Sequence, residues 1–354
     1  ELLSRHPELK ISAWGGPKMA AAGAEVIERT GDDAVMGLPG LKKLQEHRRI
    51  NERIDQWLDQ NKVDLHVPVD SPAANFPICA MAKARGIKVV HLVAPQIWAW
   101  GPWRVYWAKR RVDHMLVILP FEKPLWDKAG VPCTFVGHPI LDAVAGLHDR
   151  SELRSKLGLS VDEQVVALLP GSRSHEVQVL LPILLSAAEK LARHKPGTKF
   201  LLAQASTIQD NLLQAFLEGN RVPITVMKEQ TSEVLAVSDF ALVKSGTAIL
   251  QAAVVGTPMV LLYQISALEW WIASFFKRVK WIGLVNLVAG RSVVPELVQH
   301  EATGQRLYEE ALRILEDPIA YADMKRSLAE VRDTLGAPGA SARAAEKVLA
   351  VCQA

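Results

Sequence analysis

The run Leu168-Leu169-Pro170-Gly171-Ser172-Arg173 sets a glycine turn and a guanidinium between an apolar strand, 165–169, and an amphipathic stretch that begins near Glu176. A strand that ends in such a turn and opens a helix leaves backbone N–H groups unpaired at the helix start. With an arginine beside them, those groups suit a phosphate or diphosphate. The glycine spacing fits neither a Walker loop nor a dinucleotide fingerprint. The plainer alternative is an ordinary strand-to-helix connection. A second site of this kind is Lys244-Ser245-Gly246-Thr247-Ala248, again after an apolar strand, 240–243, and again opening a helix. Ser245, Thr247 and the Gly246 amide are candidate phosphate donors there, although Ser and Thr are also ordinary N-caps. Two such turns in one half of the chain point to one diphosphate held between two helix N-termini. Gln251, one helical turn after Thr247, either reaches a sugar hydroxyl or faces solvent.

Other polar residues fall where loops carry function. Asn286, Arg291 and Glu296 lie in a turn-rich stretch that reads as a loop. In Asp70-Ser71-Pro72-Ala73-Ala74-Asn75-Phe76, at the end of an expected strand, Asp70 is a candidate general base. Its alternative role is an N-cap. Pro95-Gln96-Ile97-Trp98-Ala99-Trp100 carries two indoles that share a face if the chain is extended. They line a sugar or acyl site, or they are core. His138 is a candidate phosphate contact or a structural histidine. There is no Asp-x-Asp, His/Cys cluster or Glu-x-x-His, so no metal site is indicated. Residues 268–281 gather Trp270, Trp271, Phe275, Phe276, Lys277 and Arg278 with further aromatic and basic residues. Aromatics beside cations fit a membrane interface, and the alternative is a buried helix with a basic end.

The elements that must hold these residues follow from the pattern. Short apolar runs alternate with amphipathic stretches, which predicts βαβ units and parallel sheets. Strands are expected at 10–14, 64–69, 88–93, 114–118 and 133–136, then near 165–169, 199–204, 223–226, 240–243 and 259–262. Helices are expected at 41–60, 76–85 and 340–353. Residues 141–158 carry charges and no strong strand, and are the best linker candidate. A chain of 354 residues suits two α/β domains. The expected division is 1–145, 146–335 and a C-terminal helix, 336–354, packing back on the first domain. Ligands would bind at the outer ends of the parallel strands, in the cleft between the halves. A net charge of +3 argues against nucleic acid, and no basic stripe interleaved with aromatics is evident. Cys79, Cys133 and Cys352 are scattered and fit a reducing cytoplasm. No signal peptide and no apolar run of membrane-spanning length is present. Glu1 to Pro7 reads as the tail of a helix without an initiator Met, so a further N-terminal segment is expected.

Taken as an ordered set, the motifs resemble lipid-A-disaccharide synthases, bacterial glycosyltransferases. The matching pieces are Gly15-Gly16-Pro17-Lys18-Met19, Ala34-Val35-Met36-Gly37, Pro95 to Trp100, Leu119-Pro120-Phe121-Glu122, Phe135-Val136-Gly137-His138-Pro139, Leu169 to Arg173, Ser245-Gly246-Thr247-Ala248 and Asn286 to Leu297. The resemblance implies the GT-B architecture, two Rossmann-like domains facing a cleft, with the acceptor on the first and UDP on the second. It implies metal-free, inverting transfer of 2,3-diacylglucosamine from its UDP conjugate to 2,3-diacylglucosamine 1-phosphate. The UDP-sugar is the donor substrate, and no cofactor is implied. Gly171, Ser172, Arg173, Ser245, Gly246, Thr247, Gln251, Asn286, Arg291 and Glu296 would bind UDP. Gly16, Met19, Asn75, Trp98 and His138 would face acceptor or sugar. Asp70 would be the base, and Arg173 would stabilise the leaving group. The enzyme would be cytoplasmic and attached peripherally to the inner membrane of a Gram-negative bacterium; a homodimer is one assembly this admits. The family opens with a strand and a Gly-Glu-Ala-Ser-Gly-Asp type loop, expected upstream of Glu1. It has a second acid where this chain has Ala73, and commonly Glu where this chain has Gln251. Other readings of the same motifs are a GT-B enzyme using UDP-GlcNAc, of the epimerase or peptidoglycan glucosaminyltransferase type, and a UDP-binding homologue without turnover.

Overall fold

The structure, a computed structural model, describes residues 1–30, 41–99, 101–147, 149–266, 270–271 and 279–353, and only the backbone of 41–44. The motif 34–37 and the residues Trp100, Phe275, Phe276, Lys277 and Arg278 lie outside the described residues. Every strand pairing described is parallel. The chain forms two compact units.

The first unit takes Glu1–Ile97, Gly101–Val136 and the segment from Gly339 onward. It holds a two-stranded sheet, β1 (Ser12–Gly15) and β2 (Glu25–Arg29). It also holds a four-stranded sheet in the order β3 (Leu65–His66), β4 (Lys88–Leu92), β5 (His114–Val117), β6 (Cys133–Phe135). Successive residues of a strand point to opposite faces. Val89, Met115 and Val117 accordingly join a core with Phe76, Cys79 and Ala82 of the helix Pro72–Ala84. Val90 and Leu116, with Val136, pack against Ala344 and Val348 of the helix Ala340–Gln353. Arg343 Nε donates to Val136 O at 2.8 Å and fixes that helix against the sheet. The expected strand at 64–69 contracts to two residues because Pro68 has no N–H for a ladder. Val69 makes only an isolated bridge to Leu92.

The second unit takes Gly137–Pro338 and a short piece that starts at Trp98. Its sheet runs β12 (Glu296–Val298), β11 (Met259–Tyr263), β10 (Phe240–Lys244), β7 (Val165–Leu169), β8 (Lys199–Gln204), β9 (Ile224–Lys228). All of β7 and the first four residues of β10 are buried. Strands covered on both faces read as unbroken apolar runs, which is why both were legible. The chain enters at β7, builds outward to β9, then returns to the other side of β7 as β10. Such a reversal of strand order marks where doubly wound sheets bind ligands.

The division falls at Val136/Gly137, not at 145/146, because Ile140–Val144 is a helix packed on the helix Thr247–Val255. Residues 141–158 are not a linker either. They include the helix Arg150–Lys156, whose Arg154 is buried and donates to Ser160 O and Val237 O at 2.9 and 3.0 Å. Two of the charges that suggested a linker, Arg150 and Arg154, are anchors to Val237 and Asp239, just before β10. No helix among the described residues is long and apolar enough to cross a membrane.

Two histidines, His91 and the partly buried His66, give the first unit a pH dependence. His91 is fully buried, and neither of its ring nitrogens, nor Nε2 of His66, has a hydrogen-bond partner among the described residues. Burial pushes both pKa values down to about 4; nearby backbone at Leu92 and Val93 offsets this only in part for His91. Above the ordinary value of 6.5 both rings are neutral whether the chain is folded or not. Below it the unfolded chain binds protons that the folded chain refuses, so stability falls as pH drops from 6.5 towards 4. The loss is on the order of 3 kcal/mol per ring at the acid end. Urea unfolding across this window should show the decline, and His66→Leu with His91→Leu should make it shallower. An equal decline in the double variant would assign it to other groups.

Candidate active site

Val243 pairs with Leu169, so β7 and β10 end side by side and both turns leave the same edge of the sheet. Gly171 sits at φ +118°, and a Cβ there would lie 2.6 Å from Glu176 Oε2. Only glycine permits that turn to close over that carboxylate. Ser172 N–H donates to Glu176 Oε2 at 3.2 Å, and Arg173 Nη1 donates to Oε1 at 2.9 Å. Lys244, the last residue of β10, reaches the same Oε1 at 2.9 Å. Burial pushes the Glu176 carboxyl up, but Lys244 and Arg173 outweigh it and hold the group below its ordinary value. The cluster carries one more cation than anion, at the start of two helices. The Thr207 hydroxyl ties the loop after β8 to it by donating to Ser172 O at 2.5 Å.

The helices Ser174–His194 and Thr247–Val255 have Arg173 and Gly246 at their N-cap positions, and neither residue makes a side-chain cap bond. Ser245 and Thr247 are therefore not N-caps. Their plainer reading is set aside, and the first N–H groups of both helices keep no capping side chain. Ser245 is buried, with its N–H on Leu262 O at 2.9 Å, and Thr247 is exposed. Gln251 does not simply face solvent: its amide nitrogen donates to the Ser232 hydroxyl. Glu176, Lys244 and Thr207 are additions to the site expected from sequence. The Arg173–Glu176 spacing, an i,i+3 pair in the first helical turn, was the available signal.

The stretch from Asn286 to Glu296 is built differently from the expected loop. Asn286 lies in the helix Leu284–Ala289, fully buried. Its Nδ2 donates to Val294 O at 2.9 Å and to Glu296 Oε1 at 2.8 Å. Its Oδ1 accepts from Val293 N–H and Val294 N–H at 2.6 and 3.0 Å. An amide has two donor hydrogens and two lone pairs, so none is left for a ligand. Glu296 accepts from Ile282 and Gly283 N–H at 2.8 and 3.0 Å, at the start of that helix. Arg291 pairs with Glu330 at 2.6 Å and Ser327 at 3.1 Å. Asn286 and Glu296 thus form a lock that shapes the chain before β12, and Arg291 pins that lock to the helix Pro318–Thr334.

In the first unit Asp70 and Ser71 sit at φ +49° and +41°, two consecutive left-handed residues without a glycine. Ser71, not Asp70, takes the N-cap position of the helix Pro72–Ala84. The turn is held by Asp70 N–H on Leu92 O at 2.9 Å and by Asn75 Nδ2 on Val69 O and Asp70 O at 3.0 and 2.7 Å. Asn75 is thus a clamp on the turn, and its side-chain carbonyl oxygen makes no bond among the described residues. The Asp70 carboxylate is exposed and makes no bond or ion pair among the described residues. Strained backbone that presents a free carboxylate is a recurrent mark of a working site. Gly16 is the N-cap of the helix Pro17–Ala21, and Met19 folds its sulfur onto Gly15. Trp98 is half-buried in a turn and not in extended chain, and the second indole of the expected pair, Trp100, lies outside the described residues.

His138, at the start of the second unit, is buried, and Ile140 N–H donates to its Nδ1 at 3.1 Å. Burial pushes its pKa down to about 4, so the ring is neutral and Nε2 carries the proton. Trp271 is 61% exposed, and Trp270 is half-buried. Burial pushes the Cys79 and Cys133 thiols up to about 12 and 11, which makes neither a nucleophile. Among the described residues, no three His, Cys, Asp or Glu side chains gather where they could hold a metal ion.

Two parallel α/β units, one with its candidate diphosphate turns at a strand-order reversal, define the GT-B class of fold. The chain is similar to the UDP-GlcNAc 2-epimerase of Neisseria meningitidis solved with UDP-GlcNAc, at 14% identity and a TM-score of 0.62, covering 94% of this chain and 87% of that one. It is equally similar to the calicheamicin glycosyltransferase CalG4, at 17% identity and a TM-score of 0.61, covering 99% and 92%. Within that class it belongs to the lipid-A-disaccharide synthetase family, which it matches over residues 1–347. The lipid-A-disaccharide synthase of Trichlorobacter lovleyi is 39% identical over 348 residues, 98% of this chain and 91% of that protein. The chain is a glycosyltransferase, and the UDP-GlcNAc readings, supported by fold likeness alone, are not favoured.

Two substitutions separate the Glu176 cluster from the Asn286 lock. Gly171→Ala drives a Cβ into Glu176 and should weaken UDP binding by roughly tenfold or more, read by calorimetric titration. Asn286→Ala strips partners from a buried network and should cost about 2–4 kcal/mol of stability. Unchanged melting of Asn286→Ala would remove the lock.

Proposed function

We propose that the chain moves 2,3-diacylglucosamine from its UDP conjugate to 2,3-diacylglucosamine 1-phosphate, giving the β-1,6-linked disaccharide 1-phosphate and UDP. The observation that carries this reading is the pair of cations, Arg173 and Lys244, held on Glu176 beside two uncapped helix N-termini. The donor diphosphate takes the N–H groups around Ser172 and around Gly246, with the hydroxyls of Ser172, Ser245 and Thr247. The carbonyl oxygen of Gln251 takes a ribose hydroxyl.

The acceptor 6-hydroxyl attacks the anomeric carbon from the face opposite the leaving group. The new C1–O6 bond forms as the bond from C1 to the phosphate oxygen breaks, which inverts an α-linked donor to a β-linked product. The hydroxyl proton passes to Asp70, and UDP departs with the bonding electrons. Negative charge then grows on the β-phosphate. Cations and helix dipoles fixed in advance stabilise it without reorganising. Glu176 is a positioning residue here: it orients Arg173 and Lys244 and leaves their remaining N–H groups for phosphate oxygens. The neutral His138 offers Nε2–H as a further donor. Because both substrates are lipids, we place the enzyme at the cytoplasmic face of the inner membrane, with Trp270 and Trp271 on the surface that meets it.

Turnover of the two acylated substrates tests the assignment. Arg173→Ala should lose about 2–4 kcal/mol of transition-state stabilisation. Asp70→Asn should slow turnover by roughly 10²–10⁴-fold while UDP binding is kept. Glu176→Gln should raise KM for the donor and lower kcat together, since both cations lose their anchor. A normal rate for Asp70→Asn would exclude Asp70 as the base. Turnover of UDP-GlcNAc without an acylated donor would overturn the substrate assignment.

A further inference from the structure

The helix Arg104–Arg111 is turned the unusual way round. Its aromatic side chains face water: Trp103, Tyr106 and Trp107 are 52%, 54% and 40% exposed. Arg104, Ala108 and the following Val112 are buried on the opposite side. Trp103, Tyr106, Trp107 and Arg110 stand at i, i+3, i+4 and i+7, so they form one stripe. Three consecutive cations, Lys109, Arg110 and Arg111, close the helix. Arg110 stacks over the Tyr106 ring at 4.2 Å, and Arg111 lies 5.6 Å from the Trp107 ring. The surrounding sequence is one-signed, because residues 71–112 contain seven Lys and Arg and no Asp or Glu. The next acid, Asp113, is already paired with Lys83 at 2.6 Å. The basic and aromatic stripe that was not evident along the sequence is therefore present on this helix.

We infer that this stripe docks the first unit onto an anionic lipid surface. Indole and phenol rings that combine an apolar body with a polar edge favour the headgroup layer, and cations beside them are drawn to anionic lipid. The exposed rings and cations lie along one helix, whereas single-stranded nucleic acid needs a groove that tracks its backbone. The Tyr106 ring, moreover, already carries Arg110 over its face. The inference rests on the lipid-substrate reading only for its choice of bilayer, and it adds a docking surface distinct from Trp270 and Trp271.

The test is co-sedimentation of the full chain with phosphatidylcholine vesicles, with and without phosphatidylglycerol. Binding is expected to need the anionic lipid and to weaken as salt is raised. Trp103→Ser with Tyr106→Ser, and separately Lys109→Glu with Arg110→Glu, should each reduce it by roughly tenfold or more. Melting temperature and UDP binding, followed on the same variants, should stay as in the parent. That readout also keeps this inference separate from the donor-site reading, since either can fail alone. Vesicle binding unchanged in both variants, or lost only on Trp271→Ser, would overturn the inference. So would tighter binding of the parent to a single-stranded oligonucleotide than to the anionic vesicles.

Discussion

The Glu176 carboxylate is the interaction on which the donor half depends. It accepts from the turn after β7, from Arg173 at the helix start and from Lys244 at the end of β10. One buried anion thereby joins the two strands that flank the reversal in strand order. Without it, two cations and several helix N–H groups would converge without compensation, and their mutual repulsion would open the site. With it, the site is assembled before any ligand arrives and retains an excess of positive charge. The glycine at 171 is a consequence of this, since only a residue without a Cβ lets the turn close over that carboxylate.

Behind this first layer the protein uses polar groups as scaffolding. Asn286 and Glu296 consume each other's hydrogen-bonding capacity and that of nearby backbone. Arg154, buried below the starts of β7 and β10, does the same for carbonyls at Ser160 and Val237. In the first unit, Asn75 holds a left-handed turn whose tip is Asp70. The pattern is consistent: amides and guanidinium groups fix the backbone, while the candidate chemistry falls to residues with donors or acceptors to spare.

What was legible in the sequence follows from the same physics. Strands buried on both faces are unbroken apolar runs, so β7, β8, β10 and β11 could be read almost residue for residue. The glycine turns between them were legible because strand, Gly and helix signals coincide within a few residues. Glu176 was hidden because a glutamate in the first turn of an amphipathic helix looks like any solvated acid; its burial comes from a lysine 68 positions later, which no local window contains. Asn286 was misread as a loop residue because Gly283 and Gly290 bracket a helix of only six residues. Residues 141–158 looked like a linker because a charge that is buried and satisfied has the same letter as one that is solvated. The outward aromatic stripe of Arg104–Arg111 escaped for the converse reason: its period is helical, and period alone does not say which face is wet.

The helix Ala340–Gln353 closes a sheet laid down some two hundred residues earlier, covering Val90, Leu116 and Val136. During synthesis, therefore, the ribosome releases the first sheet with one face uncovered. It then releases the whole of Gly137–Pro338, whose strands pair only among themselves. The segment translated second can complete its fold first, and the segment translated first waits for its cover. In the interval a strip of valine and leucine is open to whatever binds nascent apolar surface. A ribosome that stalls after the second unit, short of Gly339, would leave behind one finished sheet and one still uncovered on a face.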